Sequence, residues 1–133
     1  MRDEYKKILV AVDGSDQSKE AIHEAVAIAK RNKTSLFVLH VKDETRLRGT
    51  PYALAINLDD LETESKEIIA EVEFEVHAFT GNPKKEIINF AKQFELDLIV
   101  VGSNGKGLLD RMLVGSTTSY VVNHAPCNVM VVK

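Results

Sequence analysis

Three glycines, Gly102, Gly105 and Gly115, lie near the end of the chain, and the last is followed at once by Ser116 and Thr117. Gly102 closes the apolar run Leu98-Ile99-Val100-Val101, and Gly115 opens a segment that can continue as a helix. A strand, a glycine-bearing loop and a helix start, in that order, can hold an anion. Glycine lets the backbone come close to a phosphate, and a helix N-terminus offers unpaired N–H groups at the positive end of its dipole. The hydroxyls of Ser116 and Thr117 would add donors at the same place. The spacing fits neither common nucleotide signature: Lys106 is followed by Gly107 rather than by Ser or Thr, and G-x-G-x-x-G is absent. On spacing alone, the glycines serve either a phosphate or the turns themselves.

Asp13 is the second candidate. It follows the apolar run Ile8 to Val12 and begins Asp13-Gly14-Ser15. Three roles fit a carboxylate there: contact with a nucleotide, a phosphoacceptor or magnesium ligand of the receiver type, or a capped turn. A receiver would need another Asp at the end of its third strand, where this chain has Ala78-Phe79-Thr80. His23, His40, His77 and His124 are scattered without metal-ligand spacing, so no transition-metal site is expected. Cys127, the single cysteine, excludes an internal disulfide and reads as an inert, semi-buried thiol. No residue combination supplies an oriented nucleophile with a base.

These residues need a scaffold, and hydropathy supplies one. Ile8 to Val12 and Leu36 to Val41 are nearly continuous apolar runs, as expected of strands buried on both faces. Between them, Ser15 can cap a helix running to about Asn32, with Ala21, Ile22, Ala25, Val26 and Ala29 along one side. Residues 42 to about 57 lose periodicity and read as a solvated loop; Leu58, Leu61, Ile68 and Ile69 then suggest a short helix. Val72, Phe74, Val76 and Ala78 alternate with polar residues, predicting a half-exposed edge strand. Thr80-Gly81-Asn82-Pro83 is a turn with Asn82 as N-cap and Pro83 at the first helical position, before an inner stripe of Ile87, Ile88, Ala91 and Phe94. Leu96 to Val101 is the fourth strand, Ser116 to Asn123 the last helix, and Val129 to Val132 the fifth strand.

Alternating strands and helices predict an α/β fold with a doubly wound, five-stranded parallel sheet and helices on both faces. The favoured strand order is 3-2-1-4-5. The chain then reverses direction between the first and fourth strands, and ligands bind at the carboxyl ends flanking such a switch. Those ends carry Asp13-Gly14-Ser15 and Gly102-Ser103-Asn104-Gly105. Two separate polar loops meet at one crevice.

Composition bounds the rest. With 133 residues, a single domain over residues 1–133 is expected. The 44% of hydrophobic and 28% of charged residues fit a soluble globular chain. A net charge of −3 and a pI near 5.8 speak against a general nucleic-acid binder. No apolar run approaches the ~18 residues of a membrane span, and the charged start is unlike a signal peptide, so a cytoplasmic location and no membrane partner are expected.

The chain also resembles the universal stress protein family over essentially its whole length. Lys7 to Ser15 resembles the family's opening strand and turn, Asp97 to Ser103 its fourth strand, and Ala125 to Val132 its closing strand. Gly102, Gly105, Gly115 and Ser116 fit the spacing G-x2-G-x9-G-[ST] of the subgroup that binds ATP. The resemblance implies ATP, or AMP or ADP, bound with or without magnesium. The backbones around Gly102, Asn104, Gly105, Gly115 and Ser116, with the Ser116 and Thr117 hydroxyls, would hold ribose and phosphates. Asp13 and the backbone of Val41 would meet the adenine and ribose end, with Ala11 and Val12 lining it; any magnesium would come by way of Asp13 and the nucleotide. Asn104 stands where the family often has a basic residue or histidine, and residues 42–70 form a shorter connection than usual. The family further implies a stress-linked regulator and a homodimer through residues 129–132, an apolar edge strand. A slow ATPase or phosphotransfer protein, and a nucleotide-free structural dimer, are the alternative readings.

Overall fold

A computed structural model describes residues 4–12, 16–43, 71–103 and 115–133. In chain order these form β1 (Ile8–Val12), α1 (Asp16–Asn32), β2 (Leu36–Asp43), β3 (Phe74–Gly81), α2 (Pro83–Gln93), β4 (Leu98–Gly102), α3 (Ser116–His124) and β5 (Asn128–Val132). The expected helix around 58–69 lies outside the described residues, as does the loop beyond Asp43. The strands form one sheet in the order β3-β2-β1-β4-β5, and every pairing is parallel. This is the doubly wound order that the hydropathy pattern predicts.

Strand alternation divides the core in two. Ile8, Val10, Val12, Leu36, Val38, Leu98 and Val100 pack with Ala21, Ile22, Ala25, Val26 and Ala29 of α1. Leu9, Leu39, Val41, Ile99 and Val101 pack on the opposite face with Ile87, Ile88, Phe90 and Ala91 of α2 and Val121 of α3. On that face Phe37, His77, Phe90 and Phe94 form an aromatic cluster, its rings 4.4 to 5.9 Å apart, which seats α2 on β2 and β3. Both faces of β1 are therefore covered, and its unbroken apolar run follows from that. β3 occupies one sheet edge and is half-exposed, as its alternation predicts.

The strand ends differ from the hydropathy reading in instructive ways. β3 runs to Gly81, just past the expected end at Ala78-Phe79-Thr80, because Thr80 and Gly81 pair with Lys42 and Asp43 and prolong both strands. β4 begins at Leu98 rather than Leu96. Asp97 is diverted: its carboxylate accepts the N–H groups of Lys6 and Lys7 at 2.9 Å each, and its own N–H donates to the Lys7 carbonyl. Asn82 does precede α2 with Pro83 at its start, but its side chain makes no capping hydrogen bond.

Two helices end on residues with positive φ, Lys33 after α1 (53°) and Glu95 after α2 (52°). In each case the next N–H reaches five residues back, Thr34 to the Ala29 carbonyl and Leu96 to the Ala91 carbonyl, the hydrogen bond of a Schellman ending. A side chain with a Cβ is strained in this conformation, and both positions are exposed. Lys33→Gly and Glu95→Gly should each raise the unfolding free energy by about 0.5–1 kcal/mol in urea titrations. A loss of stability in both would contradict these endings.

Candidate functional site

Because the strands are parallel, their carboxyl ends share one edge of the sheet. The register sets Val12 beside His40 and Val10 beside Val100, which brings Val12, Val41 and Gly102 to that edge on three adjacent strands. Ala11 and Val41 lie on the face covered by α2 and α3, whereas Val12 lies on the α1 face. Val41 is buried, 8% exposed. His40 shares the Val12 face and is half-buried, on the side of the sheet away from Val41. Asp13, Asn104 and Gly105 lie outside the described residues.

The first and last glycines of the triplet come together through hydrogen bonds that neither glycine advertises. The Ser103 N–H donates to the Val132 carbonyl of β5 at 2.8 Å, and the Gly115 N–H donates to the Ser103 carbonyl at 2.8 Å. The Thr118 hydroxyl donates to the Gly102 carbonyl at 2.7 Å. These bonds dock the first turn of α3 against the end of β4. Ser103, read from the sequence only as part of the polar loop after β4, and Thr118, not singled out by the sequence, are both buried; the one signal for Thr118 is a hydroxyl in the first turn behind Gly115.

The start of α3 is electrically bare. Its N-cap is Gly115, which brings no side chain to the helix end, and the first turn holds no acidic residue. A helix leaves its first N–H groups without intrahelical acceptors, here those of Ser116, Thr117 and Thr118. Most helices cover such groups with Ser, Thr, Asp or Asn at the N-cap and favour acids nearby. α2 shows the contrast, with Pro83 removing one donor and Glu86 in its first turn. Ser116 is exposed and Thr117 half-buried, so both hydroxyls are within reach of solvent. The arrangement can bind an anion through main-chain donors, dipole and two hydroxyls.

Nothing else described competes with it. Among the described residues, no group of three or more His, Cys, Asp or Glu could hold a metal ion. A hollow of about 330 Å³ lined by Ala91, Lys92, Glu95, Leu96 and Pro126 sits at the opposite, amino-terminal edge of β4 and β5. Among the described residues, no helix is long and apolar enough to cross a membrane.

Similarity to known proteins agrees with this architecture. A universal stress protein MJ0531 of Methanocaldococcus jannaschii is 36% identical over 140 residues, covering 97% of this chain and 82% of its own. Universal stress protein YxiE of Bacillus subtilis is 35% identical over 147 residues, covering 97% and 99%. The structure of universal stress protein UspA from Lactobacillus plantarum superimposes with a TM-score of 0.77 at 36% identity, over 99% of this chain and all of that one. An Arabidopsis thaliana member solved with AMP bound matches with a TM-score of 0.62 at 25% identity, over 96% and 91%. Two further members, solved in complex with cAMP and with dAMP, share the fold at TM-scores of 0.73 and 0.71. The model of the universal stress protein family itself matches residues 4–133. By sequence, strand order and this end-to-end match alike, the chain belongs to the universal stress protein family.

Proposed function

We propose that this chain is a single nucleotide-binding domain over residues 1–133 that holds ATP, or AMP or ADP, at the β1/β4 crevice as a stress-response regulator. The observation that carries the proposal is the bare start of α3, uncapped and free of acids, hydrogen-bonded to the end of β4 beside β1. Its donor chemistry fits a phosphate. Members of the family with the same fold are known with AMP, cAMP and dAMP bound. In this reading the amides and hydroxyls of Ser116 and Thr117, with Gly102, Asn104, Gly105 and Gly115, receive ribose and phosphates. Ala11, Val12, Asp13 and the Val41 backbone take the adenine and ribose end.

Binding is favoured over turnover. The sequence offers no convincing base beside these main-chain donors and hydroxyls. Any magnesium would arrive with the nucleotide, and it would neutralise phosphate charge. The homodimer through residues 129–132 also belongs to this proposal: β5 is an edge strand whose Val129, Met130, Val131 and Val132 are all half-buried, and a second copy would cover it.

Denaturing the purified protein should release an adenine nucleotide identifiable by mass spectrometry. The emptied protein should rebind ATP in calorimetry and, with magnesium, release no phosphate above background. In light scattering the same preparation should run at twice 14.8 kDa. Multiple turnovers would make it an enzyme. Failure to bind any adenine nucleotide would leave the structural dimer.

A further inference from the structure

We propose that the buried hydroxyl of Thr118 is a positioning group for the nucleotide's phosphates, an assignment that rests on the nucleotide reading above. Thr118 occupies the first turn of α3 and is 5% exposed. A threonine at a helix start ordinarily spends its hydroxyl on neighbouring backbone in the same turn. This one reaches across to another element, donating to the Gly102 carbonyl at 2.7 Å over a sequence separation of 16.

Gly115 N–H to Ser103 and Thr118 Oγ1 to Gly102 fasten the helix start to the end of β4, and Ser103 N–H to Val132 ties that end to β5. The Gly115 and Ser103 bonds belong to the main chain. Thr118 supplies its bond with a side chain, and that bond reaches from β4 to the far end of the first turn. Packing of Val121 holds the body of α3 on the sheet, and the tie at Thr118 fixes the angle of its first turn against β4. That angle decides where the N–H groups of Ser116 and Thr117 point, and anion binding by a helix end depends on their convergence. The same bond engages the Gly102 carbonyl, the negative end of a dipole at the edge where a phosphate would sit.

A positioning role of this kind discriminates between ligands. Removing the hydroxyl should weaken ligands that carry phosphate and spare those that do not. The experiment measures ATP and adenosine affinities by calorimetry or competition in the wild-type protein and in Thr118→Val, Thr118→Ala and Thr118→Ser. Circular dichroism checks each variant for folding. Thr118→Val keeps the branched shape without the donor, and should lose about tenfold in ATP affinity while adenosine changes less than about twofold. Thr118→Ser restores the donor, and should bind ATP within about threefold of wild type. If Thr118→Val does not fold, the ATP-to-adenosine ratio in Thr118→Ala carries the same comparison. Unchanged ATP affinity in a folded variant without the hydroxyl overturns the assignment, and so does an equal loss for both ligands. A wild-type protein that binds neither ligand overturns the nucleotide reading itself, and this assignment with it.

Discussion

Asp97→Asn is expected to lower the unfolding free energy by about 1.5–3 kcal/mol, the scale of a lost charge-assisted hydrogen bond. The carboxylate is 7% exposed and divides its oxygens between two consecutive amides, Oδ2 accepting from Lys6 and Oδ1 from Lys7. Asparagine has one oxygen. Its NH2 group would face the second amide, donor against donor. The consequence extends beyond one bond. The N–H groups of Asp97 and Leu98 both donate to the Lys7 carbonyl, so residues 6 and 7 are bracketed by residue 97 from both sides. That bracket precedes the Ile8–Leu98 pair and sets the register of β1 against β4, the two strands whose far ends flank the proposed crevice. Urea titrations of wild type, Asp97→Asn and Asp97→Glu measure the effect, with a common slope showing that the denatured state is unchanged. A difference under about 0.5 kcal/mol for Asp97→Asn would mean that the bracket is redundant.

The same residue shows where sequence reading stops. Buried strands were legible because a strand covered on both faces must be apolar at every position, and Ile8–Val12 and Leu98–Val101 are. Helix α1 was legible from its alanine and isoleucine stripe. Strand order followed from the handedness of crossovers, a property of all L-chains rather than of particular residues. Strand ends were not legible, because hydrogen-bond partners set them: Thr80 and Gly81 look like a turn until Lys42 and Asp43 pair with them. Asp97 sits next to an apolar run, and nothing in its neighbours announces two amides from the other end of the chain. The candidate site divides in the same way. Glycine spacing and the residues after it pointed to a helix start at Ser116, and the helix begins there. The approach of Gly115 to Gly102 depends on Ser103, Val132 and Thr118, which are non-local partners that hydropathy cannot pair.

Gly115→Val should weaken ATP binding by at least about a hundredfold while the protein stays folded. The backbone at Gly115 has φ −61° and ψ 156°, a conformation open to any L-residue, so left-handed geometry is not what a glycine serves here. Two other reasons remain. A side chain here would stand at the proposed phosphate approach to the helix start, and a polar side chain at an N-cap would take the amides for itself. Valine tests the first by bulk: its branched side chain would hold the anion away from the N–H groups of Ser116 and Thr117. The loss of several short, charge-assisted hydrogen bonds accounts for the expected magnitude. Gly115→Ser tests the second. Its hydroxyl can accept from the N–H of Thr117 or Thr118, which stabilises the helix by up to a few tenths of a kcal/mol and competes with the ligand. Calorimetry with ATP, beside thermal melts of each variant, separates the two effects. A serine variant that is as stable as wild type yet binds less well would mean that this helix end is left uncapped for its ligand. A folded valine variant with unchanged affinity would remove α3 from the nucleotide site altogether.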